Sequence, residues 1–202
     1  KFKIMFILGC YVLGILGMGF VSYNHLQTIE EKTELLELAY NLNNIILEAR
    51  RYEKNFLLYY KEEALQENKR YLAQAFDTER TILSRGGKLK IAPMLKEFDT
   101  QLVAYQTSME RLSQHTSVSG PEYAEMVDRL REQGKKMTEL SEDLVGFERS
   151  QIHGILKLLK AQLVAWSAMA VMLGVLLPWV MIFKIFHPLT IIKQATEDIA
   201  RG

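Results

Sequence analysis

Two uncharged apolar runs, one near each end of the 202-residue chain, decide most of what it can fold into. Ile4 to Tyr23, IMFILGCYVLGILGMGFVSY, is 20 residues without a charge, and Ala161 to Phe183 is 23. At 1.5 Å of rise per residue, either run crosses a hydrocarbon core of about 30 Å as a helix. A secretory signal peptide has an apolar core of only about 7–15 residues, followed by small residues at its cleavage site. Ser22-Tyr23-Asn24 makes a poor cleavage site, so the first run is expected to be a retained span. Tyr23 and Trp166 stand near one end of their runs and Trp179 near the other, as interfacial aromatics do. Lys1 and Lys3 before the first run, with Lys184, Lys193 and Arg201 after the second, put both termini on the cytoplasmic side; Lys157 and Lys160 just outside the second run work against that assignment. The chain begins at Lys1 and stops within a helical pattern at Gly202, and reads as a fragment.

Within the first run, Cys10, Gly14 and Gly17 recur at spacings of four and three and share one helix face on which a second helix could approach closely. Ordinary glycine enrichment in membrane helices accounts for them equally well. In the second run Pro178 has no N–H to offer the Gly174 carbonyl, so a bend there acts as a hinge or is simply tolerated.

The 25 basic and 24 acidic residues leave a net charge of +1, and no basic block interleaved with aromatics argues for nucleic acid. The lone Cys10 excludes an intrachain disulfide and a cysteine zinc cluster. His25, His115, His153 and His187 show no ligand spacing, so neither a metal nor another cofactor is expected. No nucleophile elbow, phosphate loop or carboxylate dyad appears, and no residue of this chain is expected to be catalytic.

Between the runs lie 138 residues, 24–161, whose apolar period is helical. Leu35, Leu38, Leu42, Ile45, Ala49, Tyr52 and Phe56 form one stripe, and Leu95, Phe98, Leu102, Tyr105, Met109 and Leu112 another. Glu62 to Arg85 carries a weaker one through Leu65, Leu72, Phe76 and Leu83, and a fourth runs from Tyr123 and Met126 through Leu130, Met137, Leu140, Leu144 and Phe147. Breaks fall at Gly86-Gly87 and at Thr116 to Pro121, where glycine ends a helix and proline starts one. The break between the first two helices has no such mark, because Tyr59 to Glu63 contains neither residue. The expectation is all-α: an up-down-up-down four-helix bundle sensor domain with two flanking transmembrane helices. Its parts are 1–23 (flank and first span), 24–161 (bundle), 162–184 (second span) and 185–202 (linker). The inner two helices are too short to reach the membrane, and a stalk of the other two buries little apolar surface alone, so a homodimer is expected.

After the second run, IFHPLTIIKQATEDIARG places Pro188 against a seam of Ile185, Leu189, Ile192 and Ile199 and closes on Gly202. This resembles the first helix of a HAMP linker over about 17 residues. The stretch EARRYEKNFLLYYKEE, Glu48 to Glu63, is similar to the Arg-x-x-Glu-Lys-Asp-Phe-Leu-Leu signature of helical bimodular and related four-helix receptor domains, with Asn55 where that pattern has Asp. The insert is short for a bimodular domain and looks like a single-bundle relative. Together these features resemble the input half of a bacterial sensor histidine kinase, or of a methyl-accepting chemoreceptor with the same module; a non-signalling helical spacer is the reading from another class. The resemblance implies a multi-pass protein of the bacterial inner (cytoplasmic) membrane with its sensor domain extracytoplasmic. It also implies a small extracytoplasmic ligand and a response regulator or chemotaxis kinase downstream. The signal-relay positions are then Pro178, Pro188 and Gly202.

The candidate ligand-binding residues are Arg50, Arg51 and Lys54. With Leu35, Leu42, Ala49 and Phe56 on one seam position and Leu38, Ile45 and Tyr52 on the other, these cations are expected to point away from the core. Two readings stand. Glu48 with Arg51, and Arg50 with Glu53, are i,i+3 pairs of the kind that decorate a wet helix face. Alternatively, Arg50 or Arg51 from two chains forms a fork for a carboxylate, as the resemblance to four-helix receptors implies. Arg129, Arg131 or Lys135 on the fourth helix are the next candidates.

Overall fold

The structure, a computed structural model, describes residues 2–86, 91–114 and 120–182. They form four helices: α1 (Phe2–Tyr59), α2 (Glu62–Gly86), α3 (Ala92–Gln114) and α4 (Pro121–Met181). Among the described residues there is no strand. The chain divides into two compact units, Lys1–Ile155 and Leu156–Gly202.

In the first unit, each helix contributes one seam of buried residues at alternating steps of three and four, the spacing that keeps a helix stripe facing its neighbours. On α1 the seam is Lys32, Leu35, Ala39, Leu42, Ile46, Ala49, Glu53 and Phe56. On α2 it is Leu65, Asn68, Leu72, Ala75, Glu79 and Ile82. On α3 it is Leu95, Phe98, Leu102, Tyr105, Met109 and Leu112, and on α4 Val127, Leu130, Gly134, Met137, Ser141, Leu144 and Glu148. The apolar members form a single core.

This pattern corrects two expectations. On α2, Phe76 is only half-buried and Leu83 is exposed, because the true seam passes through polar Asn68 and Glu79, which a search for apolar residues skips. On α1 the seam passes through Glu53, not Tyr52, which is half-buried and stacks on Tyr71 with ring centroids 5.6 Å apart.

Several polar side chains meet across helices. Lys32 Nζ donates to Glu148 at 3.1 Å, a buried ion pair between α1 and α4. Ser141 Oγ donates to Asn43 Oδ1 at 2.8 Å, and Arg149 meets the Tyr40 hydroxyl. Arg85 pairs with Glu34 at 2.6 Å, joining α2 to α1.

The joint between α1 and α2 carries no glycine, yet the chain turns there. Tyr60 adopts φ 52°, its N–H donating to the Phe56 carbonyl at 2.8 Å, and the Lys61 carbonyl receives the Ala64 N–H at 3.0 Å to open α2. A left-handed residue at a helix end closes orphan carbonyls, at a cost of about 1–2 kcal/mol when it is not glycine. Before α4 the same freedom comes from Gly120 at φ 122°, followed by Pro121, whose missing N–H is wasted on no hydrogen bond at a helix start.

In the second unit α4 continues to Met181 with Pro178 inside it. Leu163, Val164, Val171 and Val175 are exposed. The stretch Pro121–Leu176 is long and apolar enough to cross a membrane, with a window of mean hydropathy 1.6 in which no residue is buried. The first apolar run belongs to α1, where Leu13, Leu16 and Phe20 are exposed; the side chains of residues 2–8, 10 and 11, Cys10 included, lie outside the described residues. Pro188, Gly202 and the linker-like stretch also lie outside them.

Candidate functional site

The seam on α1 sends three neighbouring cations in different directions. Glu53 falls four residues after Ala49 and three before Phe56, and is 0% exposed. Arg50, one turn earlier, follows it inward. Its side chain is only 17% exposed, and its Nη1 pairs with Glu53 Oε2. The expectation that Arg50 points away from the core is therefore corrected: a helix neighbour three residues on is a buried carboxylate, and the guanidinium bends to meet it. Gly134 on α4 makes this possible, because a Cβ there would stand 2.7 Å from Arg50 Cδ and closer still to the guanidinium.

Arg51 takes the exposed side. It pairs with Glu48 at 2.7 Å, donates to the Tyr52 hydroxyl at 3.1 Å and lies over the Tyr52 ring, 4.8 Å from its centroid. This is the surface ion pair expected of a wet face. Lys54 is exposed and has no carboxylate within ion-pair distance among the described residues.

Glu53 is the centre of a buried polar network. Tyr105 of α3 donates its hydroxyl to Glu53 Oε2 at 2.7 Å. Asn68 of α2 donates to that hydroxyl at 3.2 Å and to the Ala49 carbonyl at 2.7 Å, so three helices share one cluster. Glu53 Oε1 and Asn68 Oδ1 have no hydrogen-bond partner among the described residues. Burial holds the Glu53 carboxyl above the ordinary carboxylate range, opposed by the charge of Arg50 and the hydrogen bonds of Tyr105 and Arg50. Burial and the adjacent Glu53 push the Tyr105 hydroxyl well above its usual value.

Outside this network a cleft of about 550 Å³ opens between α1 and α4. Arg50 and Lys54 line it from α1, and Arg131 and Lys135 from α4; Leu57 and Leu58 supply apolar wall, and Glu53 forms part of its inner surface. A neighbouring hollow of about 370 Å³ shares Arg50, Lys54 and Lys135 and includes Arg51 at its edge. Arg131 and Lys135 have only exposed helical neighbours as counter-charges, Asp128 at 3.4 Å and Glu139 at 3.5 Å. The structure thus brings Arg50 and Lys54 together with two of the three α4 candidates. Arg129, paired with Glu125 at 3.2 Å, lines a different hollow beside α3.

Comparison with protein-family models, curated proteins and solved structures finds no match. The site therefore has to be read from its own chemistry. Glu53, Tyr105, Asn68 and Gly134 are the members that a search for clustered surface charge passes over. The three-four spacing of Ile46, Ala49 and Phe56 marks position 53 as a seam position, and that is the signal that finds the network.

Proposed function

We propose that this chain is the input part of a transmembrane signal receptor, with a four-helix sensor bundle that takes a small organic anion in the α1–α4 cleft and an output of the histidine-kinase kind. The observation that carries the reading is the convergence of Arg50, Lys54, Arg131 and Lys135 on one cleft against a single buried carboxylate. Like charges brought together on a fold repel and persist where a ligand of opposite charge compensates them.

Order along the helices supports an up-down-up-down bundle. Asn43 meets Ser141 and Tyr60 meets Tyr123, while Glu34 meets Arg85 and Ala49 meets Asn68, so residue numbers fall on the partner as they rise on α1. The membrane part of the proposal rests on α4, which runs from core residues such as Leu130 without a break into a stretch whose valines and leucines are exposed. A helix apolar on all sides is buried in a protein core or in lipid, and no residue of the apolar window of α4 is buried within the protein. α1, with exposed Leu13, Leu16 and Phe20, is the proposed second crossing.

Topology is tested with single cysteines at Glu62 and Lys157 in a Cys10→Ser background, labelled in whole cells with a membrane-impermeant maleimide. Labelling of position 62 from outside is expected; labelling only after lysis would overturn the receptor topology. Ligand binding is tested with butyrate, a carboxylate with a short apolar tail. Lys54→Ala and Lys135→Ala should each weaken it at least tenfold, whereas Arg51→Ala should leave it unchanged.

A further inference from the structure

We infer that an organic anion entering the α1–α4 cleft competes with Glu53 for the Arg50 guanidinium, and that Glu53 is neutralised by a proton from solvent when it loses. This deepens the proposed function and rests on its anion site.

The geometry sets up the competition. Glu53 uses one oxygen, Oε2, for both Arg50 and Tyr105, and its other oxygen has no hydrogen-bond partner among the described residues. The carboxylate is thus fully buried with its charge met by one guanidinium, and that guanidinium also forms cleft wall. A second carboxylate placed against Arg50 brings two anions to the one guanidinium that Glu53 contacts, while Lys54, Arg131 and Lys135 stand on the side of the incoming anion. Like charges so placed cannot both stay ionised, and the less hydrated one takes the proton. Glu53 is that group, already held upward by burial.

Apart from Arg50, no cation hydrogen-bonds Glu53 among the described residues. The groups facing it on α1 are Arg50 and, acting at longer range, Lys54. From α3 it is the Tyr105 hydroxyl, a neutral donor, and from α2 Asn68 reaches that hydroxyl. From α4, Arg131 and Lys135 line the cleft in which the incoming anion lies, and they are taken up by it. The balance closes simply: the anion pairs with Arg50, which stays protonated throughout, and the Glu53 carboxylate gains one proton from solvent to become the acid. No bond other than that O–H forms.

The slot at Gly134 lets this happen without refolding. Arg50 passes over a residue with no side chain, and the absent Cβ leaves its guanidinium room between Glu53 and the cleft.

The experiment is calorimetry on the full chain in nanodiscs, titrated with butyrate in bis-Tris and in imidazole, whose buffer ions are cations. Near neutral pH the difference in heat between the buffers is expected to correspond to about one proton taken up per butyrate. Affinity should fall about tenfold per unit as pH rises, which is the slope of one linked proton. In Glu53→Gln, binding should persist with no proton uptake and no pH slope. Because that variant disturbs a buried network, a second readout uses the unaltered protein: the carboxyl ¹³C resonance of Glu53 should move from the ionised to the protonated position as butyrate saturates. Binding that is lost in Lys54→Ala but carries no proton uptake would mean that Arg50 bridges both carboxylates; it overturns the inference and leaves the anion site standing. Proton uptake that survives in Glu53→Gln also overturns it. Absence of any butyrate binding overturns the inference and the anion site together.

Discussion

Arg50 lies across the backbone of Gly134, occupying the space a side chain would need there. The relationship makes opposite demands on one position. Alanine in a helix interior is worth about 0.5–1 kcal/mol over glycine, but here its methyl would push the guanidinium off Glu53. Gly134→Ala is therefore expected to destabilise the protein alone and to stabilise it by about 1 kcal/mol in an Arg50→Ala background. Thermal unfolding of the four members of that cycle reads the sign directly; the same effect in both backgrounds would mean that the two residues are uncoupled.

Arg50 and Arg51 are neighbours in sequence with different consequences. Arg50→Ala leaves the Glu53 carboxylate buried without its counter-charge, a loss of about 3–5 kcal/mol by analogy with other broken buried pairs. Arg51→Ala removes an exposed pair with Glu48 and should leave stability within measurement error. The cost of Arg50→Ala should shrink in acid, because a protonated Glu53 needs no cation.

Glu79 on the α2 seam is buried, and burial followed by the charge of Asp99 raises its carboxyl above the ordinary 4.5, with Arg80 opposing. A folded-state value above the unfolded one means that the stabilising form is the protonated one. Its contribution is complete below the ordinary value and is lost as pH rises through the folded value. Glu79→Gln is accordingly expected to raise the unfolding midpoint by a few degrees at pH 7, with the gain vanishing below pH 4.5. A gain independent of pH would show that ionisation of Glu79 is not its cause.

Tyr123 donates its hydroxyl to Tyr60 at 3.1 Å, and burial followed by that bond raises it to about 12. Ultraviolet titration should find one tyrosine ionising near this value, and Tyr60→Phe should lower it by the part the bond supplies, burial being the larger cause. A titration curve identical in the two proteins would mean that the hydroxyl pair does not form.

How far this fold was legible depends on what occupied the seams. On α3 every seam position is apolar, from Leu95 to Leu112, and the periodicity alone identifies all six. On α1, Leu35, Leu42, Ala49 and Phe56 are legible for the same reason, while Lys32 and Glu53 are hidden because charge reads as surface. The α2 seam is half hidden, since Asn68 and Glu79 break its apolar run and lend Phe76 and Leu83 a false regularity. Pro121 announces the start of α4; the turn at Tyr60 announces nothing, because a left-handed tyrosine is dictated by the packing around it rather than by its own preference. The candidate site was legible in its exposed cations and illegible in its buried partners, which are placed by tertiary contacts.

The Lys32–Glu148 pair should be far more sensitive to losing one charge than both. Lys32→Met strands Glu148, which is 1% exposed, and should cost about 3–5 kcal/mol. Lys32→Met with Glu148→Leu should recover most of that. Equal losses in the single and double variants would show that packing, not charge, is what the pair supplies.

The same pair also graduates the distance over which α4 can travel along α1. Lysine's four-carbon stem tolerates a slip of one residue rise, about 1.5 Å, with its ammonium still reaching Glu148. A slip of a full heptad, about 10.5 Å, would set Lys32 opposite Ser141 or Ile155, neither of which bears a charge. Any larger displacement draws the Glu148 carboxylate, 1% exposed, away from the ammonium that meets it, and is opposed by the cost of a buried unpaired charge. The buried pair thus acts as a detent, favouring one rest position of α4 with a short stroke around it.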